Sequence, residues 1–132
     1  MLGAMDISAS GLVAQRIRME TVAVNIANIN TAGTLEEGPF RRRSVEFKAG
    51  LDRLDRAGLG VHVSKINQED DFRIVNMPDH PNADAHGNVK LPAINQITEM
   101  VNGMEAGRAY EANLAAMDMT KDMFANALRI IA

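Results

Sequence analysis

The residues with the most overt chemistry lie mid-chain. His80, Asp84 and His86 are three possible metal ligands within one Pro- and Gly-rich stretch. With no cysteine in the chain and no fourth ligand at a suggestive spacing, they read as turn and surface residues. Asn82 to Ala93 has the partial outline of a calcium loop, with Gly87 sixth and Val89 eighth. Its first residue is Asn, its fifth is His86, and Ala93 stands twelfth where a bidentate Glu is required, so the outline fails. Arg41-Arg42-Arg43 could grip a phosphate, but the run follows Glu36 and Glu37 in a chain of net charge -3. Salt bridges between subunits, or a solvated strand, fit it better. Ser8, Ser10, Ser44 and Ser64 lack a surrounding nucleophile elbow, and no glycine loop cradles phosphate. The expectation is a non-enzyme with no cofactor, metal, small-molecule substrate or nucleic-acid partner.

A quieter pattern is VNIANINTAGT at residues 24–34, where carboxamides sit among apolar helix residues. A polar group in an apolar contact specifies register at some cost in stability. Asn25 and Asn28 are therefore candidates for fixing which face of one subunit docks on another. Asn113, within Tyr110-Glu111-Ala112-Asn113, is a candidate counterpart. The alternative is that Asn28 and Asn30 end the helix and Asn25 faces solvent.

Three parts position these residues. From about Met5 to Asn30, Met5, Leu12, Met19 and Ile26 recur every seventh residue, with Ala9, Ala23 and Ala27 beside them. Val13, Ile17 and Val24 form a second seam. The pattern predicts a helix capped by Asp6 or Ser8 and stopped by Asn30 to Gly33. From Ile94 to Ile131 the apolar positions are Ile94, Ile97, Val101 and Met104, then Tyr110, Leu114, Met117, Phe124, Leu128 and Ile131, the second half stepping by fours and threes and broken at Lys121. That is coiled-coil spacing. Gly103 and Gly107 inside it allow either close backbone approach or a kink. Between the helices the chain looks β-rich: Phe40, Val45 and Phe47 are separated by charges, Gly60 to Ser64 and Asn88 to Leu91 alternate with period two, Phe72 to Val75 is a further strand candidate, and Pro78, Pro81 and His86-Gly87 predict turns. The expected fold is mainly α, with long terminal helices flanking an irregular β-rich insert. The expected domains are residues 1–33, 34–93 and 94–132.

Composition adds a problem of burial. The chain of 132 residues is 46% hydrophobic but only 4% aromatic, with nine Met. Such a core is adaptable and weakly specified. Its helices carry wider apolar stripes than one hairpin covers, and each large side chain left in water forgoes roughly 1.5–3 kcal/mol. Neighbouring subunits would supply the cover; a hairpin closed on itself is the alternative. No stretch is long and apolar enough for a membrane span. MLGAMDISASGLVAQ has no basic leader or signal-length apolar run, so synthesis without a cleavable signal is expected.

SGLVAQRIRMETVAVNIANINTAGT resembles the N-terminal signature of the flagellar basal-body rod, hook and filament-junction family. HPNADAHGNVKLPAINQITEMVNGMEAGRAYEAN is similar to its proximal-rod, FlgC-type branch, with Pro39-Phe40-Arg41-Arg42 as an anchor between. Gly103 and Gly107 depart from the branch pattern, and residues 44–75 match it loosely. The resemblance implies a structural subunit exported through the flagellar type III apparatus and stacked helically in the periplasmic rod. Its implied partners are other copies of itself, proximal and distal rod proteins, the MS-ring junction protein and the export gate. Its implied contact residues are Met5, Leu12, Met19, Asn25, Ile26, Asn28, Tyr110, Asn113, Leu114, Met117, Phe124, Leu128 and Ile131. Phe47 and Leu51 fit an export cue of a Phe, three residues and an apolar side chain, as do Phe124 and Leu128; ordinary burial of Phe47 and Leu51 is the alternative. A soluble coiled-coil adaptor dimerising through its C-terminal helix is the rival reading.

Overall fold

The computed structural model describes residues 2–33, 38–50 and 60–131. Two helices bracket four strands in the order α1 (Leu2–Ala27), β1 (Arg42–Ala49), β2 (Val61–Glu69), β3 (Phe72–Asn76), β4 (Asn88–Pro92) and α2 (Gln96–Ile131). The fold is mainly α with a small β part, as the periodicities require. Asp6 and Ser8, expected as caps, lie inside α1. The helix ends at Ala27 because Asn28 turns its own amide back onto the Val24 carbonyl (2.8 Å) and accepts from the Thr31 hydroxyl (3.2 Å). At the start of α2 the Asn95 side chain accepts from the backbone N–H groups of Ile97 (2.9 Å) and Thr98 (3.2 Å), satisfying donors with no intrahelical partner.

The strands form two separate antiparallel pairs, β1 with β2 and β3 with β4. A bulge between Glu46 and Phe47 sets Val45 opposite Ile66 and Phe47 opposite Val63. It thereby keeps apolar pairs in step although Val63 and Ile66 are an odd number of residues apart. In the second pair Val75 faces Val89, and Val89 and Leu91 are buried with Pro92 and Ile94 where β4 leads into α2.

The helices run antiparallel. Asn25 meets Glu99, Val22 meets Gly103, Arg18 meets Glu105 and Gly11 meets Asn113. The buried residues along this line are small or polar: Gly11, Ala14, Thr21, Val22 and Asn25 on α1, Glu99 and Ala106 on α2. The seam of α2 thus steps through 99, 103, 106, 110, 113 and 117. It shares Tyr110 and Met117 with the expected seam but takes Asn113 in place of Leu114, which is 44% exposed. The inward face of α1 is neither expected stripe. Met5, Leu12, Met19 and Ile26 flank it half-buried, while Val13 and Val24 point outward. Small residues win the interior because they let two helix backbones approach closely. A Cβ on Gly103 would stand 3.3 Å from Val22 Cγ1, so close approach is the use of this glycine.

Candidate assembly surface

The β1–β2 hairpin is fastened along α1 at two points. At one end Asn25, 1% exposed, donates Nδ2–H to the Arg43 carbonyl (2.7 Å) and accepts the Arg43 N–H on Oδ1 (2.9 Å). Its carboxamide thus stands where a neighbouring strand's peptide would. At the other end the Val61 N–H donates to Ser10 Oγ (3.0 Å), whose hydroxyl donates to the Ile7 carbonyl (2.7 Å). Gly60, at φ +126°, lies so near that a Cβ there would sit 2.2 Å from Ser10 Oγ. The spans agree: fifteen helical steps from Ser10 to Asn25 and seven extended steps from Arg43 to Gly50 both cover about 23 Å.

Asn25 opens a buried polar chain. Its Nδ2 also donates to Glu99 Oε2 (2.9 Å), and Glu99 is 1% exposed. Arg42 donates Nε–H (2.9 Å) and Nη2–H (2.7 Å) to Glu99 Oε1 and Nη1–H to Glu69 Oε1 (2.6 Å). Burial alone would lower the pKa of the Arg42 guanidinium. Its hydrogen bonds to Glu99 and the charges of Glu99 and Glu69 outweigh that and raise it. One connected set of groups therefore locks α1, β1, β2 and α2 together.

Asn25 is thus engaged within its own chain, where the expectation had it marking register between subunits. Both sides of its carboxamide are satisfied before any neighbour arrives. Asn28 serves as a helix terminator. Asn113, half-buried, presses its amide on Gly11, where a Cβ would stand 2.8 Å from Nδ2. The arginine run, expected to bridge subunits or to lie on a solvated strand, has partners in its own chain: exposed Arg41 pairs with Asp70 (2.9 Å), Arg42 with Glu69 and Glu99, and exposed Arg43 lies 5.7 Å over the Phe40 ring. His80 Nδ1 accepts the Asn82 N–H (3.1 Å). Asp84 Oδ1 accepts the N–H groups of His86 (2.8 Å) and Asn88 (2.9 Å), which depress its pKa. Sequence reasoning missed Glu99 and Ser10. The available signal for Glu99 was a carboxylate one step before Gly103 in a four-three seam, with an arginine run elsewhere to answer it.

Of the remaining expected contact residues, Tyr110 and Met117 are half-buried in the hairpin, and Phe124 and Leu128 are 40% and 54% exposed. Phe47 is half-buried in β1. Leu51 and the side chain of Ile131 lie outside the described residues. The register explains the exposure. Gly11 faces Asn113, so the beginning of α1 at Leu2 faces the region of Asp122, and the last turns of α2 run on beyond it. Phe124 continues the four-three seam there, at the margin of the described hairpin and 40% exposed. Ile97 at 74%, Met123 at 67% and Ile130 at 86% exposure add further uncovered apolar surface. No described helix is long and apolar enough to cross a membrane.

Comparison with known proteins matches these elements. A family model described as flagella basal body rod protein covers residues 5–33. One described as flagellar basal body rod FlgEFG protein C-terminal covers residues 85–130. The flagellar basal-body rod protein FlgC of Aquifex aeolicus (strain VF5) is 44% identical over 121 residues, 92% of this chain and 90% of its own. That of Bacillus subtilis (strain 168) is 37% identical, covering 96% of this chain and 95% of its own. That of Borreliella burgdorferi is 34% identical over 99% and 97%.

Proposed function

Since this chain belongs to the FlgC-type family of flagellar basal-body rod proteins and is a structural subunit of that rod, we propose how it is built in: its uncovered helical surface is completed by neighbouring subunits. The observation that supports this most directly is the run of α2 past the start of α1. Its seam keeps the same step through Phe124, past the level of the first described residue of α1. A helix of another subunit, in line with α1, is the simplest cover.

In this reading residues 1–33 and 94–132 form the assembly parts and residues 34–93 the outward part. Subunits related by a rotation that does not close stack into a filament. Its site is the proximal rod in the periplasm, its neighbours are further copies, other rod proteins and the MS-ring junction protein, and its task is to carry torque. It reaches that place unfolded through the type III export gate. Phe47 and Leu51 serve as the cue there, read while the chain is unfolded. The described residues offer a mechanical joint, and the polar side chains of Asn25, Arg42 and Glu99 are engaged in holding shape.

The test is Phe124→Asp. Because Phe124 is 40% exposed at the margin of the described hairpin, a charge there should leave the hairpin folded, so secretion and the circular dichroism of the purified chain stay normal while rod growth and swimming stop. Normal swimming in this variant defeats the proposal.

A further inference from the structure

The face of α2 turned away from α1 carries its own repeat. Ile97, Arg108, Met119 and Ile130 recur at steps of eleven residues. Val101, Ala112 and Met123 follow at the same step, and Met104, Ala115 and Asn126 complete it. All are exposed. The period differs from that of the inner seam, and the difference is physical. Eleven residues make three turns and a small excess, so a pair following this repeat coils slightly right-handed, whereas a seven-residue repeat coils left-handed around a partner.

The stripe also has a shape. Its ends are bulky, with Ile97 and Met104 at one and Met123 and Ile130 at the other, and its middle is Ala112 and Ala115. A second helix can approach closest at the alanines while the long side chains interleave on either side.

We infer that this outer face pairs two copies of the chain as a symmetric antiparallel dimer, with Met104 of each beside Met123 of the other and the alanines at the crossing point. Charge selects the direction. A parallel pair in register sets Arg108 against Arg108 and Asp122 against Asp122, and like charges in contact are unfavourable. The antiparallel pair brings each Arg108 toward the other copy's Asp122, twice by symmetry. Glu111 and Asp118 come near each other as well, which weakens the pairing without reversing it.

Size fixes the strength. From Ile97 to Ile130 the stripe is about 50 Å long, and a helix contact about 10 Å wide covers about 1,000 Å² in total, at the lower limit for a specific interface. The dimer is therefore reversible. Subunits that share one direction in a filament cannot keep this pairing, so it belongs to free chains and opens before stacking. The pairing goes beyond the rod reading; only its opening before stacking rests on that reading.

The full-length chain contains no cysteine, so introduced thiols report without interference. Met104→Cys and Met123→Cys chains, mixed at micromolar concentration and oxidised mildly, are expected to form the mixed disulfide faster than either same-site disulfide. Sedimentation should show a concentration-dependent dimer, and Ala112→Glu should raise its dissociation constant about tenfold or more. Preferential Met104→Cys self-coupling, a chain that stays monomeric throughout, or a dimer indifferent to Ala112→Glu overturns the inference. Rod growth is scored separately, so failure of stacking is distinguishable from failure of pairing.

Discussion

Asn25 Nδ2 lies 2.9 Å from Glu99 Oε2, a bond that joins residues 74 positions apart and sets the register of two antiparallel helices. The same carboxamide bonds both backbone groups of Arg43, so one side chain fixes the relation of α1 to α2 and of both to the hairpin. Register specification, expected between subunits, is here carried out inside one. Its consequence for assembly is indirect: the register decides how far α2 projects past α1, and hence which apolar residues are offered outward.

Asn25→Ala leaves the buried Glu99 with one partner fewer and removes the side-chain partner of the Arg43 N–H and carbonyl at a part-buried site. We expect a loss of about 2–3 kcal/mol, read as a lower urea midpoint in the isolated chain. Asn28→Ala removes only an exposed cap, and the expected loss is about 1 kcal/mol or less. A comparable loss for both would show that the buried bonds carry no special weight.

Arg42→Lys keeps the charge but removes the planar fork that reaches Glu99 twice and Glu69 once. Lys cannot span both carboxylates in that geometry, and the expected cost is about 1.5–3 kcal/mol. Arg41→Lys, at an exposed pair with Asp70, should change stability by less than about 1 kcal/mol. Thermal melts of the two variants side by side check the contrast.

Asp84 offers a pH test in the turn before β4. N–H bonds from Asn88 and His86 hold its pKa below the usual 3.8. Its support for the turn is therefore complete above that value and is lost as pH falls through the lower folded value. The amide resonances of His86 and Asn88 should titrate with a midpoint below 3.8. In Asp84→Asn that acid titration disappears.

How much of this was legible beforehand depended on whether a residue's role is periodic or relational. The two helices, three of the four strands and the turn at His86-Gly87 followed from spacing, because burial on one face imposes a period of 3.6 or 2. The interior face of α1 did not follow. Hydropathy favours the Met5–Leu12–Met19–Ile26 stripe, but close packing admitted Gly11, Ala14 and Thr21, whose advantage is small size. The polar chain was illegible for another reason. Asn25, Arg42, Glu69 and Glu99 are far apart in sequence, and nothing local announces that their partners are one another.

Gly11 and Gly107 should respond in opposite directions to the same substitution, although both sit within helices. A Cβ at Gly11 would stand 2.8 Å from Asn113 Nδ2, forcing the amide aside or the helices apart, and Gly11→Ala should destabilise the chain by about 1–3 kcal/mol. At Gly107 nothing lies within 4 Å of the added Cβ. Gly107→Ala gains helix propensity without a clash and should stabilise the isolated chain by about 0.5–1 kcal/mol. Urea unfolding of the isolated chain measures both. The rod then asks a further question of Gly107. If Gly107→Ala raises stability yet slows swimming, a neighbouring subunit requires the bare backbone at that point; if swimming is unchanged, Gly107 has no such neighbour.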